Sequence, residues 1–449
     1  MRILIKNGTI VNEGVSVAGY LTIKDDKIEK VAAEEFTEQI SEASFDKIID
    51  ANGGYIMPGI IDDQVHFRQP GAEHKGSIKS ESRAGLAGGV TSYMEMPNTK
   101  PPTVTLELLE EKNKIAKSDS YANYSFYIGA TNHNIDVIES VDPTQVCGVK
   151  VFMGSSTGNM LVDNKQALID IFSHSKILVA THCESESIIQ ANLAKYKAIY
   201  GENIPIALHP VIRSAEACYE SSSEAVELAT KYGTRLHVLH ISSKKEMELF
   251  SDKQLSDSKL ITSEVCVHHL FFDDTFYPAK GNFIKWNPAI KSSEDRLALL
   301  ESLRKGKIDV VATDHAPHTL EEKSNPYLTA PSGGPLLSHS LVAMLELSAR
   351  GEFGVELVVE KMAHAPAKLY KVHKRGFLRE GYFADIVIVN KTQWQVTKEN
   401  ILYKCGWSPF EGDSFSHAVS YTILGGKIAY ENGTINEQIR GSKLTFDRQ

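Results

Sequence analysis

Asp62-Asp63-Gln64-Val65-His66-Phe67-Arg68-Gln69-Pro70-Gly71 closes a short apolar run, Tyr55 to Ile61, that is interrupted by Pro58-Gly59. A run that ends abruptly in Asp, Gln, His and Arg has passed from core packing to chemistry. Strand alternation places Gln64, His66 and Arg68 on one face, so their heads converge on one space. A single histidine at a strand end is ordinarily a surface or hydrogen-bonded residue. The reading therefore turns on whether other strands end the same way.

Working outward from this stretch, residues 55–380 alternate short apolar runs with amphipathic, helix-like segments, the texture of repeated βα units. Eight strands are expected: Tyr55 to His66, Thr91 to Met96, Asn123 to Gly129, Val146 to Met153, Ile177 to His182, Arg235 to His240, Lys259 to Val265 and Ile308 to Asp314. Eight parallel strands alternating with helices close into a barrel whose chemistry sits at the C-terminal strand ends. Periodicity alone fits an open doubly wound sheet equally well, and no glycine-rich nucleotide fingerprint follows the first strand. The strand ends separate the two. Beyond His66, polar residues recur as Lys150 inside Val149 to Met153, His182 in Thr181-His182-Cys183-Glu184, His240 before Ile241-Ser242, and Asp314 in Thr313-Asp314-His315. Packing offers no reason for that recurrence, whereas neutral imidazoles and carboxylates are what zinc or a similar divalent ion binds. Lys150 joins such a set only by losing its cationic character, and carboxylation by carbon dioxide would do so.

The two chain ends read differently. Residues 2–34 alternate apolar and polar side chains around turns at Asn7-Gly8 and Asp25-Asp26, and the pattern returns in Phe383 to Val389 and Tyr421 to Ile428. One small β domain built from both termini is expected, with boundaries 1–54, 55–380 and 381–449. The 449 residues are 42% hydrophobic and 23% charged, within the globular range, and the formal charge of −9 argues against a nucleic-acid partner. The N-terminus is too quickly polar for a signal peptide, and no apolar run reaches membrane-spanning length. Five scattered cysteines form no disulfide or zinc-knuckle pattern, so a cytoplasmic protein is expected.

With PGIIDDQVHFRQPG, MEMPNT, VKVFMGSS, THCE, HVLHISS, KWNPAIK, ATDHAPHT and FADIVIV in this order, the chain resembles the metal-dependent cyclic amidohydrolases, and among them the dihydroorotase branch. The resemblance implies a distorted (β/α)8 barrel of the TIM type beside a small β-sandwich. It also implies Zn2+, one or two ions, held by His66, Lys150, His182, His240 and Asp314, with Lys150 N6-carboxylated. The branch pattern carries His-x-His at the first strand end, so Gln64 stands where a ligand is expected. Three outcomes follow: Gln64 coordinates, one ion suffices, or the protein is catalytically silent. Asp314 would take a proton from the attacking water and return it to the leaving nitrogen. Asn98, Asn287 and His318 match substrate-contacting positions, and Ser332-Gly333 lie where loop backbone meets the ring. Lys291 stands where relatives often carry Arg. Arg68 selects the substrate, because a guanidinium holds a carboxylate bidentately. The implied reaction interconverts N-carbamoyl-L-aspartate and (S)-dihydroorotate. Allantoin or hydantoin hydrolysis, and a non-catalytic partner of aspartate transcarbamoylase, are the alternatives. The sequence does not fix an oligomeric state, although the resemblance admits a homodimer, since relatives are often dimers; His315 and His269 are expected to be structural, and Thr319 to Gly334 is a candidate lid.

Overall fold

The computed structural model describes residues 1–33, 41–154 and 160–448. Ser155 and Ser156, which end the VKVFMGSS motif, lie outside the described residues. Strands from both chain ends form one nine-stranded sheet. Arg2–Asn12, Val15–Lys24 and Lys27–Ala33 run antiparallel, with Lys47–Asp50 alongside the first, and Ile386–Gln395, Ser414–Leu424, Lys427–Glu431 and Thr434–Ile435 complete the other side. Ile3, Ile5, Leu21, Ile23, Ile386, Ile388 and Ile423 project into one buried cluster, which is why both ends carry the same alternation.

Tyr55–Pro58 is the seam between the two halves. It pairs in parallel with Arg2–Asn12 and antiparallel with Ile386–Gln395, so this first part of the expected barrel strand belongs to the sheet of the chain ends. The chain then turns at Gly59, where a Cβ would stand 2.2 Å from the Thr91 side chain, and begins again as a barrel strand. Only a residue without a side chain passes so close to its neighbour.

The barrel strands are β1 (Ile60–Val65), β2 (Val90–Glu95), β3 (Asn123–Phe126, continued by Ile128–Gly129), β4 (Val149–Phe152), β5 (Val179–His182), β6 (Leu236–Val238), β7 (Ile261–Cys266) and β8 (Val310–Ala312). All pair in parallel in sequence order. The ladder is interrupted at Tyr127, whose N–H turns back to the Glu95 carbonyl, and it closes from β8 to β1 through the Val65–His315 bridge. The barrel is thus complete but distorted. Helices follow the strands, several opened by side-chain caps: Ser77 before Ile78–Ala87, Thr105 before Leu106–Asp119, Ser214 before Ala215–Tyr232 and Ser292 before Ser293–Arg304. Residues beyond Ile435 leave the sheet. Ser442 and Leu444 bond Tyr124 of β3, and Arg448 donates to the carbonyls of Tyr370, Val146 and Cys147, strapping the chain end to the barrel. Among the described residues no helix is long and apolar enough to cross a membrane.

Candidate active site

The C-terminal strand ends open into a cavity of about 270 Å³. Gln64, His66, Arg68, Asn98, Lys150, His182, His240, Asn287, Asp314, His318, Ser332 and Gly333 all line it, joined by Phe152, Ala316 and Pro331. Three of these residues, Arg68, His240 and Asp314, hold φ angles of 71°, 42° and 49°. A side chain in that region costs about 1–2 kcal/mol. Such cost concentrated around one cavity marks a site whose geometry outranks local comfort.

The histidine tautomers follow from their outer partners. His66 Nδ1 lies 2.7 Å from Asn98 Oδ1, so the proton sits there and a bare Nε2 faces Asp314 Oδ1 at 3.0 Å. His182 Nε2 meets Glu184 Oε2 at 3.0 Å, which leaves its Nδ1 facing His240 Nε2 at 2.9 Å. Glu184 is held in turn by Arg213, which keeps its carboxyl down near 2 against the cost of burial. Burial lowers the proton affinity of His66, His182 and His240, so all three rings are neutral. Bare acceptors that face each other inside a cavity are placed for a cation, and His66 and His182 are each oriented by a bond on the far side of the ring. Glu184 and Arg213 were not singled out from sequence; the signal was Glu184 two residues beyond His182.

Lys150 is 1% exposed, with its ammonium 4.7 Å from the Phe152 ring and no hydrogen-bond or ion-pair partner among the described residues. Burial pulls it down to about 8, against the attraction of Asp314 and Glu264. An amine that sheds its proton near neutrality is the form that reacts with carbon dioxide. Three neutral imidazoles, a carboxylate and such an amine fit a divalent metal of the zinc class. Gln64 is buried, and its amide nitrogen donates to Asp314 Oδ1 at 3.2 Å while its oxygen faces Cys266 Sγ at 3.8 Å. In this orientation it offers the cavity a donor; presenting a ligand oxygen requires the amide to turn over.

Arg68 forms the opposite wall. Its Nε donates to the Pro317 carbonyl at 3.0 Å, and among the described residues no carboxylate pairs with it. Its Nη2 lies 3.0 Å from His318 Nε2, but Lys75 donates to His318 Nδ1, so the His318 proton is on Nε2 and goes to the Ser332 carbonyl. The far end of the guanidinium is therefore free for an anion. Burial lowers it to about 10, which leaves it charged at neutral pH. Asn287 Oδ1 is buried without a partner among the described residues and lines the same space.

The segment from Thr319 to Gly334 is tightly braced. Lys285 donates to the carbonyls of Tyr327 and Ala330, and Lys323 to those of Pro331 and Gly333. Gly333 (φ 116°) passes so close to strand eight's extension that a Cβ would stand 2.7 Å from the Ala316 carbonyl. Lys291 lies outside the cavity, donating to Ser242 Oγ at 2.8 Å. His315 is structural: Nε2 bonds Glu81 and Nδ1 accepts from the Leu336 amide, while His269 bonds the Pro288 carbonyl.

Residues 55–429 match the family model described as the amidohydrolase family. This chain belongs to the amidohydrolase family. The amidohydrolase is 31% identical to a dihydroorotase of Pyrococcus furiosus over 98% of its own length and 96% of the relative's. It is also 31% identical to an allantoinase of Bacillus velezensis, over 96% and 94% of the two chains. The solved L-hydantoinase (dihydropyrimidinase) of Arthrobacter aurescens superposes with a TM-score of 0.92 at 27% identity, covering 99% of both. The family membership and the superposition agree with the fold, a TIM-type barrel with a separate sheet from the chain ends.

Proposed function

We propose that this amidohydrolase is a dihydroorotase, closing N-carbamoyl-L-aspartate to (S)-dihydroorotate and reopening it. The observation that carries the reading is Arg68, a half-buried cation in the cavity wall with no carboxylate partner among the described residues. Dihydroorotate brings a carboxylate that allantoin and simple hydantoins lack, and a guanidinium fork is its geometric complement. The curated relatives named dihydroorotase, near 30% identity across nearly the whole chain, support the same choice.

His66, His182, His240, Asp314 and a carboxylated Lys150 would hold one or two zinc ions. A bound ion supplies Lewis-acid polarisation of the ring carbonyl and brings the pKa of a water to about 7. Within the chain's own contribution, Asp314 stands against both His66 and Gln64, where it takes the proton from the attacking water. It then returns that proton to the ring nitrogen as the amide bond breaks. Arg68 fixes the substrate by its carboxylate, Asn287 Oδ1 accepts a ring N–H, and the Ser332-Gly333 backbone bounds the ring's other edge.

Two observations favour other readings. The L-hydantoinase superposition and the allantoinase relative keep a different cyclic amide in view. The Gln64 amide, turned to Asp314 with its nitrogen, favours a silent relative that partners aspartate transcarbamoylase. Purified protein, assayed for metal content and for hydrolysis of dihydroorotate, hydantoin and allantoin, separates the three. Dihydroorotate turnover with bound metal is the expected result; turnover confined to a ring without a carboxylate, or none at all, rejects the proposal.

A further inference from the structure

Below the cavity, inside the barrel, lies a second cluster: Asp63 of β1, His237 of β6 and Glu264 of β7, each 0% exposed. His237 Nε2 is 3.4 Å from Asp63 Oδ2 and 3.6 Å from Glu264 Oε2. Both separations exceed the 2.7–3.2 Å of a protein N–H···O bond. Both Asp63 oxygens, Glu264 Oε2 and His237 Nε2 are buried without a hydrogen-bond partner among the described residues. Four unpartnered donor or acceptor atoms around one point in a barrel core need an explanation.

The tautomer supplies part of it. Thr262 Oγ1 donates to the Leu236 carbonyl at 3.1 Å, so it can only accept from His237 Nδ1, 2.8 Å away. The Nδ1 proton is thereby fixed and the Nε2 lone pair of the neutral ring points at the two carboxylates. A lone pair facing two anions is repulsive unless positive charge lies between. One proton on Nε2 supplies it, but leaves the long separations and satisfies at most two of the three orphaned oxygens. A divalent ion satisfies all four atoms. Two ligands about 2.1 Å from a common ion at the tetrahedral angle stand about 3.4 Å apart, close to the two observed separations. Two carboxylates, a neutral imidazole and a divalent cation also sum to zero charge, the balance a low-dielectric core requires.

We propose that Asp63, His237 and Glu264 form a second, buried site for a divalent cation of the zinc class, one layer beneath the strand-end site and distinct from it. Asp63 binds through one or both oxygens, Glu264 through Oε2 and His237 through Nε2. Glu264 Oε1 accepts from the His240 backbone N–H at 3.1 Å, so the buried ion is one hydrogen bond removed from the strand-end set.

The test uses the full chain, stripped with a chelator and titrated with Zn2+ alone, with metal counted by mass spectrometry and located by anomalous diffraction at the zinc edge. In wild-type crystals a peak is expected among Asp63, His237 and Glu264. With the strand-end ligands removed as His182→Ala/His240→Ala, one equivalent of zinc per chain should persist, and adding Asp63→Asn or Glu264→Gln should abolish it. Zinc-loaded wild-type crystals without a peak at the cluster overturn the site, and they do so even if an Asp63 variant fails to fold. A retained equivalent that ignores both substitutions overturns it as well. Neither result bears on which cyclic amide the cavity accepts.

Discussion

Arg68→Ala isolates the feature on which substrate choice rests. The guanidinium is anchored by one bond, Nε to the Pro317 carbonyl at 3.0 Å, which leaves Nη1 and Nη2 to meet a substrate carboxylate. Hydrogen bonds to charged groups are worth about 1.5–3 kcal/mol each. Two such bonds make a loss of about 3–6 kcal/mol, or about 160- to 26,000-fold in kcat/KM for dihydroorotate. Loss of the Pro317 contact is common to every substrate, so the informative quantity is a ratio. Hydantoin, without a carboxylate, should lose no more than about threefold. Arg68→Lys keeps the charge but not the fork and should fall between the two. Steady-state hydrolysis of both substrates by wild type and the two variants gives the comparison. A parallel fall on hydantoin, or a loss below tenfold on dihydroorotate, refutes the carboxylate role.

Asp314→Asn should lower kcat by about 10³-fold or more while leaving the thermal midpoint within a few degrees, since proton transfer is lost and the fold is not; near-wild-type turnover removes its assignment as base. Gln64→His should raise zinc stoichiometry and rate if position 64 faces the metals, and unchanged values in both place it outside the site. Lys112 and Glu95 form a buried ion pair at 2.9 Å, so Lys112→Met, which leaves Glu95 unpaired, should cost about 3–5 kcal/mol in urea unfolding; a cost under 1 kcal/mol would show the pair to be dispensable. His339, fully enclosed beside Tyr403 and Ser408, is pushed by burial down to about 3. Its folded value lies below the unfolded one, so the unfolded chain binds the extra proton, and stability is kept above pH 6.5 and lost below it. The slope is about 1.4 kcal/mol per pH unit for this one group. His339→Gln should flatten the stability curve between pH 6.5 and 4.5 by about that amount, and an unchanged slope contradicts it.

The eight strands and their polar ends were legible because both follow from local pattern: apolar runs of strand length, five of them carrying His, Lys or Asp at the C-terminal end. The candidate ligands and substrate contacts converge on one cavity for the same reason. What depended on distant partners was not legible. Nothing near Lys285 or Lys323 says that each will bury its ammonium against loop carbonyls and brace the segment expected to be a lid. Nor does Tyr55 to Ile61, a single apolar run, reveal that Gly59 divides it between two sheets, since the cause is the Thr91 side chain packed against that glycine.

The deepest limit lies in the opening stretch itself. Alternation predicts that Asp63 and Gln64 point to opposite sides of β1, one toward the helices and one toward the barrel interior. The β1–β2 register shifts between Asp62 and Val65, and a bulge of this kind re-aims consecutive side chains. Gln64 reaches Asp314 at the strand end, and Asp63 reaches His237 in the layer below. Both polar groups therefore enter the barrel from adjacent positions, at different depths. An amide in place of an imidazole weakens the upper donor set, while a carboxylate one residue earlier completes a donor set beneath it. The two residues are thus coupled by geometry. Replacing both together, as Asp63→Val with Gln64→His, should move zinc from the lower cluster to the upper one at nearly constant total stoichiometry. A total that falls by a full equivalent with no gain at the strand ends would show that the two positions act independently.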